Sequence, residues 1–194
     1  MNLPNKLTLI RVIMIPIFVT FFYLTVLPCN YLFAAIVFAL AAFTDFLDGY
    51  IARKYNLVTN LGKFLDPIAD KVLVSTALIV MLTVPQILCA YFPAWSMIVL
   101  GLCVAIILAR ELIVSGFRMV AASAGLVLAA DMIGKYKTTF QDVAIVVLLV
   151  SASFVGTFGY ILCIVGCVCM LVATVLTIVS GCNYIIKNKA VLKS

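Results

Sequence analysis

Seven carboxylates are all the acid in this chain of 194 residues, and four of them fall in two pairs: Asp45 with Asp48, then Asp66 with Asp70. Residues three or four apart share one helix face, so each pair offers both carboxylates on one side of its segment. The turn between the two segments is short, which makes them antiparallel neighbours and lets the four carboxylates converge. Four ionised carboxylates in a low dielectric repel one another unless cations neutralise them. Arg53, Lys54, Lys63 and Lys71 lie close by in sequence but cannot all point inward. One or two divalent cations are the economical answer, and oxygen-only ligands favour hard ions, Mg2+ or Mn2+. Gly49, Ala52, Gly62 and Ala69 flank the acids, and small residues let helices or a ligand approach closely. Arg53 can reach a phosphate held at such a site. These parts suit phosphoryl transfer, in which cations neutralise a pyrophosphate and a carboxylate takes the proton of an attacking hydroxyl. Histidine is absent, which removes histidine bases, ligands and relays.

The elements that position these groups are membrane helices. Apolar residues make up 66% of the chain and charged residues 10%, against about half and a quarter in ordinary soluble domains. Apolar runs fall roughly at 7–27, 32–52, 62–83, 94–121, 138–153 and 158–186, each long enough, or nearly so, to cross the hydrocarbon. The expected fold is an all-α integral membrane protein of six transmembrane helices, one domain over 1–194, with a short N-terminal interfacial segment around Lys6 and Arg11. The first run lacks a cleavage signature and reads as a helix. Pro67 is expected to loosen the third helix near 62–63.

With six spans, all 13 Lys and Arg fall on one side, and the opposite loops near 28–31, 84–93 and 154–159 hold no charge. The positive-inside rule puts that charged side, and both termini, in the cytoplasm. The net charge of +6 then points to anionic lipid headgroups and phosphate ligands. No aromatic-and-basic stretch suggests nucleic acid. The seven cysteines sit mostly in apolar runs, with no CxxC pair, and read as small packing residues.

Two non-catalytic readings of the acids remain in view. A buried ion-pair network could fix helix packing, but intramembrane charge is costly and tends to be functional. An ion or phosphate transporter could use paired acids, but Arg53, the clustering at one membrane face and the lack of any counterpart of 45–70 in the second half count against it.

The segment from Asp45 to Asp70 fills every fixed position of D-x2-D-G-x2-A-R-x8-G-x3-D-x3-D and so resembles the CDP-alcohol phosphotransferases. Three further segments are similar to the bacterial phosphatidylglycerophosphate synthase branch of that family: 4–11 (PNKLTLIR), 109–118 (ARELIVSGFR) and 134–141 (GKYKTTFQ). The resemblance covers nearly the whole chain. It implies a six-helix bundle, commonly dimeric, in a bacterial cell membrane, with the site open to the cytoplasmic interface. It implies transfer of a phosphatidyl group from CDP-diacylglycerol to sn-glycerol 3-phosphate with release of CMP. Asp45, Asp48, Asp66 and Asp70 would hold two divalent cations, with Asp70 also the general base. Thr8, Arg11, Gly49, Arg53 and Thr59 would contact the CDP-lipid. Arg110, Arg118, Lys135 and Lys137 would bind the acceptor's phosphate. Four cations near one face, with Glu111 and Asp131 the only nearby acids, also suit a dianionic acceptor on charge alone. Inositol phosphate or phosphatidylglycerol remain alternatives, while serine, lacking a phosphate, fits less well. Asp142 stands where an apolar residue is expected. It has no assigned role beyond bracing Lys135 or Arg110.

Overall fold

The computed structural model describes residues 3–54, 60–123 and 132–187, with the side chains of 3–5, 46, 48–54, 60–64, 66, 67, 89, 122 and 123 outside that description. Every regular element within it is helical: α1 (Leu3–Tyr23), α2 (Asn30–Lys54), α3 (Asn60–Leu82), a single turn α4 (Gln86–Cys89), α5 (Trp95–Ser123), α6 (Met132–Ser151) and α7 (Thr157–Lys187). Helices satisfy their own backbone hydrogen bonds, the condition for immersion in lipid. By length and composition alone, 6–23, 95–121 and 157–187 can cross a membrane, and 30–45 is a shorter apolar stretch. The polar turns at the starts of α3 and α6 keep those helices out of that set.

Side-chain exposure agrees with a lipid setting. Leu102, Leu112 and Val175 are 60%, 74% and 59% exposed, part of an apolar outer surface far larger than the patches monomeric soluble proteins tolerate. Inside, Phe18, Phe22 and Phe38 join Leu73, Leu78, Met81, Ile145 and Leu148 in one core.

The most extensive helix pairing is α6 with α7, and α1 packs on both α2 and α3. Along α7 the buried positions include Gly159, Cys163, Gly166, Met170, Ala173, Thr177, Ser180 and Tyr184. Along α6 they include Lys137, Gln141, Ala144, Leu148 and Ser151. Both series alternate steps of four and three, the spacing that keeps one seam facing a partner helix. Small residues on the α7 seam bring the helices close. A Cβ on Gly166 would lie 2.7 Å from Leu148 Cδ2 and 3.2 Å from Leu148 N. Gly166→Leu is therefore expected to destabilise the bundle by about 1–3 kcal/mol, the usual cost of overpacking. The melting temperature in detergent checks this, and Leu148→Ala in the same chain should restore part of the loss.

The α6 seam changes character along its length, apolar at Ala144 and Leu148 and polar at Lys137 and Gln141. The polar end of the bundle gathers the charged contacts. The other end closes through uncharged ones: Tyr23 Oη to Thr83 Oγ1 at 2.8 Å, Asn30 Nδ2 donating to the Phe22 carbonyl at 2.7 Å, and Tyr91 Oη donating to the Phe154 carbonyl at 2.6 Å. The turn before α7 uses Gly156 at φ +84°, a conformation open to glycine.

The N-terminal segment is helical and continuous with the first span, since α1 runs unbroken from Leu3 to Tyr23 with Lys6 and Arg11 within it. Two local expectations change. The third helix passes through position 67 without a break. Position 67 is the eighth residue of α3, past its first turn, so the helix forgoes one intrahelical hydrogen bond there without ending. The loop between α3 and α5 holds the extra turn α4, whose Ile87 and Leu88 are buried in the core.

Candidate active site

Asp70, one turn past position 66 on α3, faces a cleft formed with α5 and α6. Its polar lining is Asp70, Lys71, Ser75, Glu111, Lys137, Thr138 and Gln141, over an apolar floor of Val74, Ile107 and Leu108. The free space inside the cleft is about 20 Å3, about the room one water needs.

The basic groups around the cleft are held in place by partners. Lys137 is 1% exposed, and its Nζ meets Glu111 Oε1 at 2.6 Å. The same oxygen accepts from Arg110 Nη1 at 3.2 Å. Arg110 Nη2 donates to Ser180 Oγ on α7 at 2.5 Å, and the arginine stem runs over Gly181, where a Cβ would lie 3.1 Å from Arg110 Cγ. Lys71 Nζ donates to Ser115 Oγ, whose own hydroxyl donates to the Glu111 carbonyl at 2.5 Å. Glu111 is thus the hub that ties α3, α5, α6 and, through Arg110, α7. Its two cations repay part of the desolvation that a carboxylate suffers inside a bundle.

On the other side of the site, Thr8 and Arg11 of α1 are fully buried. Arg11 Nη1 reaches Asp45 Oδ1 on α2 at 2.8 Å, with the aspartate side chain 42% exposed. Asp45, Arg11, Glu111 and Lys137 all act on Asp70 through space, so the two halves of the site form one electrostatic unit.

Of the residues singled out from the sequence, Asp70 and Lys137 share the cleft, and Arg110 joins them through Glu111. Arg118 does not line it. Its Nε donates to Tyr184 Oη at 3.3 Å, and its guanidinium carbon sits 5.6 Å from that ring's centroid. Lys135 is exposed at the start of α6, where its carbonyl accepts from Thr138 Oγ1 at 2.8 Å. The side chains of Asp48, Gly49, Arg53 and Asp66, and the whole of Thr59, lie outside the described residues. Asp142 does not brace Lys135 or Arg110. Its charged neighbours are Asp70, Lys137 and Asp45. Glu111, Lys71, Gln141, Ser115 and Ser180 were not expected as parts of the site. An acid inside the long apolar run of α5 was the available signal for Glu111.

The donor set fits hard divalent cations as far as it is described. Asp45 and Asp70 offer carboxylate oxygens within one electrostatic unit, and Asp45 keeps an exposed face. Among the described residues no three His, Cys, Asp or Glu side chains group as a metal cluster. The two carboxylates that would complete one, Asp48 and Asp66, are not among them. Of the cysteines, Cys29, Cys103, Cys163, Cys167, Cys169 and Cys182 are free, and none lines the cleft.

Residues 1–179 match the family model for CDP-alcohol phosphatidyltransferases. The chain belongs to the CDP-alcohol phosphatidyltransferase family. Among its relatives, a Bacillus subtilis protein is 41% identical over 204 residues, covering 100% of this chain and 98% of its own. A Rickettsia bellii protein is 39% identical over 94% of this chain and 93% of its own, and one from Shigella flexneri serotype 5b is 39% identical over 97% and 96%. Each of the three is named CDP-diacylglycerol–glycerol-3-phosphate 3-phosphatidyltransferase.

Proposed function

We propose that this chain transfers the phosphatidyl group of CDP-diacylglycerol to sn-glycerol 3-phosphate, yielding phosphatidylglycerol phosphate and CMP. The observation that carries the reading is the full-length relationship to enzymes of that name. The cleft supports it, because a carboxylate, Asp70, and a buried cation, Lys137, line it together.

In this reading Asp70 accepts the proton of the acceptor's primary hydroxyl. The oxygen so freed bonds to the phosphorus that carries diacylglycerol. The bond from that phosphorus to the CMP phosphate oxygen breaks, and CMP leaves with the bonding pair. Two divalent cations held by Asp45, Asp48, Asp66 and Asp70 would neutralise the pyrophosphate. Thr8, Arg11, Gly49, Arg53 and Thr59 would contact the CDP-lipid. Arg110, Arg118, Lys135 and Lys137 would receive the acceptor's phosphate. Lys137 can do so while bound to Glu111, because an ammonium carries three donors. Glu111 orients both Lys137 and Arg110 and so prepares the phosphate pocket.

The placement we favour is a bacterial cytoplasmic membrane, with both termini and the site on the cytoplasmic side, since every Lys and Arg falls on one side of a six-span arrangement. A homodimer and contact with anionic lipid complete the reading.

The test is CMP release by detergent-purified protein given CDP-diacylglycerol, Mg2+ and one acceptor at a time: glycerol 3-phosphate, inositol phosphate or serine. Release is expected with glycerol 3-phosphate, lost on chelation and restored by Mg2+ or Mn2+. Release with inositol phosphate in its place would keep the chemistry and discard the acceptor assignment. No release with any alcohol would discard the transferase reading for this chain.

A further inference from the structure

Gln141 is 2% exposed, lines the cleft with Asp70 and Lys137, and its Oε1 has no hydrogen-bond partner among the described residues. A buried carbonyl oxygen without a donor is strongly unfavourable, so a donor is expected to arrive from outside the protein. Of the donors around it, Lys137 Nζ is turned to Glu111, Lys71 Nζ to Ser115 and Thr138 Oγ1 to the Lys135 carbonyl, and none of them is within hydrogen-bond reach of Gln141 Oε1. Gln141 stands one turn beyond Lys137 on the same face of α6, about 6 Å along the axis.

We infer that Gln141 is a specificity residue that accepts a hydrogen bond from the acceptor's second hydroxyl, the one that does not attack. The inference rests on the reaction proposed above and deepens it. An acceptor whose phosphate lies at Lys137 and whose reacting hydroxyl lies at Asp70 spans the cleft past Gln141. In glycerol 3-phosphate the carbon between those ends carries a secondary hydroxyl. That O–H is a donor, and Gln141 Oε1 is the acceptor the cleft leaves open. A buried polar group left unpaired by the wrong substrate is how sites reject analogues lacking a hydroxyl. The residue selects a vicinal diol phosphate over a simple hydroxyalkyl phosphate.

The experiment compares sn-glycerol 3-phosphate with 3-hydroxypropyl phosphate, which lacks only the secondary hydroxyl, by CMP release in wild type and Gln141→Leu. Wild type is expected to favour glycerol 3-phosphate by about 10- to 100-fold in kcat/KM. In Gln141→Leu that ratio should fall to about 1–3, through loss with glycerol 3-phosphate and little change with the analogue, while the KM for CDP-diacylglycerol stays within about 2-fold. Gln141→Met, less bulky at the branch point, carries the same expectation should the leucine variant fail to fold. A ratio unchanged in the variant, or equal loss with both acceptors, overturns the inference, as does a wild type indifferent to the missing hydroxyl. Wild type that releases no CMP with glycerol 3-phosphate would instead strike at the proposed reaction, and the inference would fall with it.

Discussion

Asp70→Asn is expected to lower CMP release by about 10²–10⁴-fold, the usual contribution of a positioned general base, while the melting temperature changes little. Asparagine has nearly the shape of aspartate, so the packing of α3 against α5 and α6 should survive. The lining of the cleft offers no second unpaired carboxylate. Glu111, the other carboxylate lining the cleft, is already bound to Lys137 and Arg110, and Lys71 is a cation bound to Ser115. Asp70 is also proposed as a metal ligand, so the activity should be measured across a Mg2+ titration. Loss that persists at saturating Mg2+ assigns the proton-accepting role. Activity within about 10-fold of wild type, below the range of general-base effects, would remove Asp70 from that role.

Lys137→Met carries the second large effect, on stability as well as activity. Lys137 is 1% exposed and 2.6 Å from Glu111. Removing one partner of a buried pair leaves the other charge without compensation, at a cost of about 3–5 kcal/mol. Arg110 still reaches Glu111 at 3.2 Å, so the lower end of that range is expected. Glu111→Gln in the same chain removes the stranded charge and should recover most of the stability. It should not recover activity, because the cation beside Asp70 is still missing. Melting temperature and CMP release, measured on both variants, separate the two roles. A double variant that regains activity would mean that Lys137 serves only to neutralise Glu111.

Much of this site is legible in the amino-acid sequence, because its chemistry is written in residue type and short-range spacing. Asp45 and Asp70 need only the helix period, and the breaks between helices follow from proline, glycine and polar clusters. The contacts that cross between helices are not legible in that way. Glu111 meets Lys137 from 26 positions away and Arg110 meets Ser180 from 70 away, and such pairs depend on how each helix is rotated about its axis. Gln141 shows the same limit, since an apolar-rich chain hides which polar residue faces inward. One longer-range signal does lie in the sequence: Gly159, Gly166, Ala173 and Ser180 recur every seven residues, the mark of a close-packed seam. The unbroken α1 and α3 show a different limit. Pro67 and the basic residues of α1 point to local irregularity, whereas packing of α1 on both α2 and α3 favours continuous helices there.

The most direct test of the proposed reaction follows labelled sn-glycerol 3-phosphate into organic-extractable lipid with purified protein, CDP-diacylglycerol and Mg2+. The proposal predicts label in a lipid bearing two phosphates, one CMP released for each label transferred, and neither product when CDP-diacylglycerol is omitted. CMP formed without label entering lipid would mean that the chain cleaves CDP-diacylglycerol without using this acceptor, and would contradict the reaction proposed for it.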